Sequence, residues 1–336
     1  MSGERPSVSV VVPVLDEAAH IDAVAASVTA QDYDGEIEFI FVDNGSTDGT
    51  RQRLAEIAAA DQRVRVVDNP QRGIAKTLNV GLAAATGEVF VRMDAHSHYA
   101  DDYVTIGVNL LAGGAADWFA GPALARGDGR WSRWTATALS SPLGVGGADF
   151  RRSTEMMPSD TAFGGVIRRA NLLALGGWDE RWVVNEDAEL ATRALAAGLR
   201  IMLVPGMAAD YVPRDDPAAL ARQYWRYGVW RARTSVEHPQ SMRPSHVLPP
   251  AVVIALVLAL KLLPARLAVL AWALVLAGES ARRCSGSAAG FLKLFASFAI
   301  MHLAWGAGNI FGFARFGSPL PALRQVAQRF SSRVRT

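Results

Sequence analysis

The chain of 336 residues holds a single cysteine, Cys284. That excludes an intrachain disulfide and any zinc site built on paired cysteines, and it suits a reducing compartment. A surplus of one charge is also lacking, with Lys+Arg at 34 and Asp+Glu at 32. Without a strong basic field, nucleic acid is not an expected partner. Met1 to Ser7 is short and polar and leads straight into an apolar run. It carries no charged segment followed by a long apolar core and a small-residue cleavage site. No signal peptide is therefore expected, and the first part of the chain is predicted to stay in the cytoplasm. No Gly-x-Gly-x-x-Gly follows the first apolar run and no Gly-Lys-Ser/Thr occurs, which counts against dinucleotide enzymes and P-loop nucleotidases.

What is present divides in composition near Leu248. Before it, apolar β-branched runs alternate with segments of helical spacing. Strands are predicted at Val8 to Val12, Glu38 to Val42, Arg63 to Val67 and Glu88 to Met93. Helices are predicted at Ile21 to Ala30, Asp48 to Ala60 (capped by Thr47 or Asp48) and Ile74 to Ala85. This order implies a mostly parallel, Rossmann-like α/β sheet flanked by helices, with ligands beyond the carboxyl ends of its strands. Pro13 to Glu17, Asp43 and Asp94 all fall at such ends.

After Leu248 the chain is membrane-like. Apolar runs at Ala251 to Leu263 and Leu267 to Gly278, split by Pro264, each reach about two-thirds of the ~20 residues a spanning helix needs. Leu294 to Ala314 is uncharged and long enough to span. The 248–279 segment reads as a re-entrant or interfacial hairpin, and Arg315 to Arg333 as a basic tail favouring the cytoplasmic side. The expected division is a cytoplasmic domain over 1–233, then a linker, membrane helices and tail over 234–336. A buried helical subdomain is the alternative for the apolar runs.

Several polar clusters suggest chemistry. Asp16-Glu17 and Asp43-Asn44-Gly45-Ser46-Thr47-Asp48 offer carboxylates to base N–H groups or ribose hydroxyls, although Asp-Asn-Gly-Ser is also ordinary turn chemistry. Asp94 and His96, read as extended backbone, lie on one face and could share Mn²⁺ or Mg²⁺, or could simply be hydrogen-bonded. Glu186 and Asp187 precede a helix-like run from Ala188 to Ala197. Acids there suit the helix dipole, which gives the plain reading of a solvated, capped helix start. In a cleft, the same pair would raise each other's pKa, making Asp187 a candidate general base. Gln223, Arg226 and Tyr227 share two helical turns, where Arg226 offers a planar cationic fork for a diphosphate. The neighbouring aromatics also suit a membrane-interface belt.

In combination these segments resemble the inverting family 2 glycosyltransferases of the GT-A fold. The resemblance covers roughly Ser7 to Arg233. It rests on Pro13 and Glu17, Val42 to Asp48, Asn69 to Gly81, Asp94, Phe163-Gly164-Gly165, Gly176 to Asp179, Glu186-Asp187 and Gln223-x-x-Arg226-Tyr227. Arg92 to His96 and the C-terminal apolar segments are most similar to the succinoglycan-type (ExoA-like) branch, which extends lipid-linked oligosaccharides. The resemblance implies that Pro13, Glu17, Asp43, Arg72 and Asp94 hold the donor nucleotide, and that Asp94 and His96 hold Mn²⁺ or Mg²⁺. It implies Asp187 as catalytic base, with Glu186, Gln223, Arg226 and Tyr227 at the diphosphate or acceptor. Phe163, Gly164, Gly165, Trp178 and Trp182 would form acceptor-side walls, because aromatic faces suit sugar rings.

His96 replaces the family's usual second Asp, and Tyr227 its usual Trp. The implied donor is a UDP- or GDP-hexose, the acceptor a lipid-linked or free oligosaccharide, and the site of action the cytoplasmic membrane face among membrane lipids. Arg231, Arg233 and Arg243 either meet lipid phosphate or form a positive-inside flank. Rival readings are a polyprenyl-phosphate glycosyltransferase, a processive polysaccharide synthase, and a silent sugar-nucleotide-binding membrane scaffold.

Overall fold

A computed structural model describes residues 5–146, 151 and 153–333. Met1 to Glu4 of the polar N-terminal segment and the tail beyond Arg333 lie outside the described residues. The strands in chain order are β1 (Val8–Val14), β2 (Ile37–Asp43), β3 (Val64–Asp68), β4 (Val89–Arg92), β5 (Ser97–Tyr99) and β6 (Trp118–Ala120). They continue with β7 (Ala123–Ala125), β8 (Met157–Pro158), β9 (Gly165–Arg168), β10 (Ile201–Leu203) and β11 (Ala209–Tyr211). The first helices are α1 (Ile21–Thr29), α2 (Thr50–Ala60), α3 (Ile74–Ala84), α4 (Tyr103–Ala112), α5 (Ser132–Leu139), α6 (Pro142–Val145) and α7 (Arg169–Ala174). After them come α8 (Glu186–Ala196), α9 (Pro217–Glu237), α10 (Leu248–Leu258), α11 (Leu263–Arg283), α12 (Ala288–Phe316) and α13 (Leu320–Arg333).

Two compact units result: Met1–Leu124 with Arg152–Tyr211, and Ala125–Arg151 with Val212–Thr336. The expected domain boundary lies at 233, whereas the contacts place α9 and residues 125–151 with the C-terminal helices.

The first unit carries a sheet in the order β3-β2-β1-β4-β9-β6-β10-β8. The β3-β2-β1-β4 half is parallel throughout, as the alternation of strands and helices predicts. Val8, Val10, Val11, Val12 and Val14 of β1 are all buried, because helices cover both faces and no position is left for a polar residue to face water. β9 enters antiparallel to both β4 and β6, making the sheet mixed. Its entry needs glycine. Gly165 adopts φ +104°, and a Cβ there would stand 2.4 Å from the Phe119 carbonyl oxygen.

The predicted helix boundaries hold to within two residues, but two starts differ in a way that matters. α2 is capped by Gly49 at φ 97°. Asp48, one residue earlier, accepts the Thr50 N–H at 3.1 Å and the Thr50 hydroxyl at 2.5 Å. α8 begins at Glu186 rather than at Ala188, after Asn185 in the left-handed region at φ 66°. Asparagine tolerates that conformation better than most residues. Glu186 and Asp187 thereby become first-turn residues of the helix itself.

In the second unit α9 starts on Asp216, whose carboxylate accepts the N–H groups of Ala218 and Ala219, with Pro217 at the first helical position. α9 lies against α12 through glycines. A Cβ on Gly228 would stand 2.0 Å from the Trp305 carbonyl oxygen, and one on Gly308 2.3 Å from that of Trp225. The two apolar runs do form separate helices, α10 and α11, but the break falls at 259–262, before Pro264. Pro264 sits in the first turn of α11, where its missing N–H costs nothing, and the helix runs on to Arg283. α11 (21 residues) and α12 (29 residues) are each long and apolar enough to cross a membrane. One polar relay links three elements of this unit. Trp272 Nε1–H donates to His302 Nδ1 at 3.0 Å, so His302 Nε2 donates to the Leu143 carbonyl at 2.6 Å.

Candidate active site

In the first unit the carboxyl ends of β1, β2 and β4 lie side by side, since Val14 pairs with Asp43 and β1 runs parallel to β4. Asp43 is buried, and its carboxylate accepts the Ser46 N–H at 3.1 Å, closing the Asp-Asn-Gly-Ser turn. Asn69 N–H donates to the Asp43 carbonyl at 2.7 Å. Pro13 is half-buried beside this turn's strand, and Glu17 N–H donates to the Thr50 hydroxyl at 2.8 Å. Arg72, exposed and at φ 49°, reaches back to donate to the Gly45 carbonyl at 2.8 Å. Four of the five nucleotide candidates (Pro13, Glu17, Asp43 and Asp94) thus border one end of the sheet, and Arg72 closes on the β2 turn.

The densest chemistry centres on a residue that the spacing of motifs did not single out as functional, Arg92. Its guanidinium is buried and donates to Asp94 at 3.0 Å and to Asp187 at 2.5 Å, with Glu186 at 3.5 Å. It also lies 5.7 Å from the centroid of the Phe163 ring. Strand periodicity explains the meeting. Phe90, Arg92 and Asp94 alternate onto one side of the chain, where Phe90 meets Trp178 at 5.7 Å between ring centroids. Trp178 Nε1–H in turn donates to Asp187 at 3.1 Å. The available signal was a lone arginine inside the apolar run Val89-Phe90-Val91, with an aspartate two residues on. Tyr99 is a second unanticipated member, its hydroxyl accepting the Asp94 N–H at 2.8 Å.

Burial governs the charges here. Glu186 and Asp187 are each 9% exposed, so the solvated helix start does not describe them. Desolvation, then the Asp187 charge, pushes Glu186 up to about 7. Desolvation also raises Asp187, with Arg92 pulling in the opposite direction and Asp94 reinforcing the rise. Burial opposes the charge on Arg92, but Asp187, Asp94 and Glu186 together outweigh it and hold the guanidinium more firmly protonated. Two carboxylic groups thus share a low-dielectric site, both holding their protons more firmly than ordinary carboxyls, with one cation to orient them. Such a site can accept a proton from a hydroxyl and hold it out of water.

Asp94 and His96 are not on one extended face. Ser97 N–H donates to the Asp94 carbonyl at 3.1 Å, which makes 94–97 a turn. The Asp94 carboxylate points at Arg92, while the His96 side chain is 71% exposed with Nδ1 3.6 Å from Glu17 Oε1. Among the described residues no three His, Cys, Asp or Glu side chains are grouped so as to hold a metal ion by themselves. A divalent ion held by one or two of these side chains would complete its shell from diphosphate oxygens and water, the usual arrangement in phosphate-transfer sites. The donor types fit such an ion, and an imidazole favours Mn²⁺ over Mg²⁺.

Phe163 is half-buried, and Gly164 holds φ +64° with its would-be Cβ 2.9 Å from the Arg92 carbonyl oxygen. This loop therefore packs directly on the Arg92 strand. Trp178 and Trp182 are 3% and 1% exposed, so their rings are covered by protein rather than open to a sugar. Trp178 instead supports Asp187 from behind. Gln223, Arg226 and Tyr227 belong to the second unit, where Gln223 Nε2–H donates to the Tyr227 hydroxyl at 3.1 Å and Arg226 is exposed.

The sequence matches the family model "Glycosyl transferase family 2" over residues 9–171. It is 32% identical over 305 residues to "Succinoglycan biosynthesis protein ExoA" of Rhizobium meliloti (strain 1021), covering 89% of this chain and 92% of that protein. Among solved structures it resembles the mannosyltransferase PcManGT from Pyrobaculum calidifontis in complex with GDP-Man and Mn²⁺. The TM-score is 0.61 at 22% identity, covering 91% of this chain and 88% of that one. GalNAc-T7 with UDP, GalNAc and Mn²⁺ superposes with a TM-score of 0.51 at 18% identity, over 70% of this chain and 51% of that one. The fold is GT-A-like, and the chain belongs to glycosyl transferase family 2.

Proposed function

We propose that this enzyme transfers a hexose, with inversion, from a nucleoside-diphosphate sugar to a hydroxyl of a lipid-linked saccharide during exopolysaccharide or cell-envelope glycan synthesis. The observation that carries the reading is the buried Glu186-Asp187 pair, held by Arg92 and Trp178 at the carboxyl end of a GT-A-like sheet. Asp187 takes the proton of the acceptor hydroxyl. The oxygen forms a bond to the anomeric carbon on the face opposite the diphosphate, and the anomeric C–O bond breaks with its electron pair leaving on the nucleoside diphosphate. Configuration inverts because attack and departure are in line.

Glu17, Asp43 and Arg72 bind the nucleoside end, and Asp94 orients the ribose and diphosphate. Asp94 and His96 would hold a divalent cation, which when bound neutralises charge on the departing diphosphate. The family resemblance adds Gln223, Arg226 and Tyr227 as contacts of the diphosphate or acceptor. Phe163 and the following glycines form an acceptor-side wall. The ExoA relationship supports the polysaccharide setting, and the PcManGT and GalNAc-T7 complexes support a nucleotide-sugar donor with Mn²⁺.

The C-terminal helices anchor the enzyme at the cytoplasmic membrane face. Leu260, Leu263, Leu274 and Val257 are all more than half exposed, a surface that suits lipid better than water. The test is nucleoside-diphosphate release from a panel of UDP- and GDP-hexoses by detergent-solubilised protein, with and without Mn²⁺. Turnover of one or more donors that is faster with saccharide acceptor supports the reading. No turnover of any donor would contradict it and favour a binding-only protein.

A further inference from the structure

Arg231, in the second unit, is a cation without a counter-charge among the described residues. Arg231 forms no hydrogen bond and no ion pair among the described residues, unlike Arg233 two positions on, which pairs with Glu237 at 2.9 Å. Arg231 lies three residues after Gly228, on the side of α9 where that glycine touches the Trp305 carbonyl of α12. His246 belongs to the same neighbourhood, with its ring 5.7 Å from the Trp305 ring and close enough to Arg231 and Arg243 to be repelled as a cation. Arg243 N–H donates to His246 Nδ1 at 3.2 Å. Nδ1 is therefore an acceptor and the ring proton sits on Nε2, which has no acceptor of its own. Two unused donors thus stand together, a guanidinium and an imidazole N–H, and no carboxylate acts on either.

Desolvation alone pulls Arg231 down to about 10. An unpaired, partly desolvated cation is destabilising unless something binds it. The surroundings describe that partner. α10 follows directly after His246, and its Leu248, Ile254 and Val257 are 50%, 51% and 65% exposed. Polar donors beside the start of an exposed apolar helix match a molecule with an anionic head and a hydrocarbon tail.

We propose that Arg231 and the Nε2–H of His246 bind the phosphate of a phosphorylated lipid. Phosphate oxygens accept from both donors, and the planar guanidinium can engage two of them at once. The proposal rests on the reading of the protein as a membrane-bound transferase. It uses Arg231 to hold the acceptor lipid's diphosphate or an anionic glycerophospholipid headgroup.

The test is lipid-induced thermal stabilisation of the full chain in phosphatidylcholine nanodiscs. Undecaprenyl diphosphate, phosphatidylglycerol or soluble pyrophosphate is added to wild type, Arg231→Gln, Arg231→Lys and the control Arg233→Gln. Wild type and Arg233→Gln should be stabilised by one of the two lipids. Arg231→Gln should bind it about 10-fold or more weakly, and Arg231→Lys should recover part of the loss, since an ammonium lacks the fork. Without lipid, Arg231→Gln should melt no lower than wild type, which separates a binding role from a structural one. Which lipid acts identifies the source of the phosphate.

Equal stabilisation of wild type and Arg231→Gln, or pyrophosphate acting as strongly as either lipid, would overturn the proposal. The readout needs no sugar transfer. A failure here with donor turnover intact removes this site and leaves the transferase reading standing.

Discussion

Three carboxylates, from Asp94, Glu186 and Asp187, share the one guanidinium of Arg92 in a pocket almost closed to water. Removing that guanidinium leaves buried negative charge uncompensated, which typically costs about 3–5 kcal/mol. Arg92→Met should therefore lower unfolding free energy by about that amount at pH 8, measured by chemical denaturation. The loss should shrink at pH 5, where the carboxyls take up protons. Arg92→Lys should fall between, keeping the charge but not the fork.

A related sign holds in the wild type. Glu186 sits at about 7 in the fold against 4.5 ordinarily. A carboxyl raised by folding contributes stability that is full below its unfolded pKa and is lost as pH rises through its folded one. Asp187 is raised as well and acts in the same direction. Melting temperature should fall between about pH 5 and 7, and Glu186→Gln should flatten that slope. A slope unchanged in Glu186→Gln would show that other groups set it.

At this scale the residues with family-like spacing were legible in the chain. Arg92 was not, because a single arginine in an apolar strand has no spacing signature. Its partners come from a helix start 94 and 95 residues away. The turn at His96 was likewise invisible, since a three-residue polar step after a strand fits extended backbone equally well.

The elements carry the site by placing short backbone segments in contact, and β9 shows how. Gly164 and Gly165 both occupy the left-handed side of backbone space, and both approach neighbouring carbonyl oxygens within 3 Å of where a Cβ would stand. Gly165→Ala should destabilise the first unit by about 1–3 kcal/mol through strain and overpacking. It should also reduce activity, because Gly165 pairs with Arg92 across the sheet. Denaturation midpoints together with donor turnover check both effects, and an alanine variant as stable as wild type would contradict the packing argument.

The parallel half of the sheet was readable from its apolar runs and intervening helical periodicity. β9 was not, because four residues beginning on the second of two glycines carry too little pattern to fix a direction. The α8 start was missed by two residues for a physical reason: two acids read as polar flank unless burial is known. Pro264 marked the break between α10 and α11 but not its position, since proline sits in the first turn of the helix that follows the break.

At the scale of the molecule, the first unit holds the buried acid cluster and the second holds two helices of membrane-spanning length. The composition change near Leu248 marked the apolar helices, but not the contribution of residues 125–151 to the same unit, a long-range association that no local pattern records. The exposed leucines and valines of α10 and α11 predict that the full chain stays in the membrane pellet after an alkaline carbonate wash. Recovery in the supernatant would mean that this apolar surface is covered by protein instead.

The central claim is that Asp187 receives the acceptor's proton. The measurement that bears on it most directly compares nucleoside-diphosphate release, in the presence of acceptor, by wild type and Asp187→Asn. Asparagine can still accept the Trp178 N–H, so donor affinity and melting temperature serve as controls for folding. The account predicts a fall in kcat of about 100-fold or more with donor binding retained. Undiminished transfer by Asp187→Asn would contradict it.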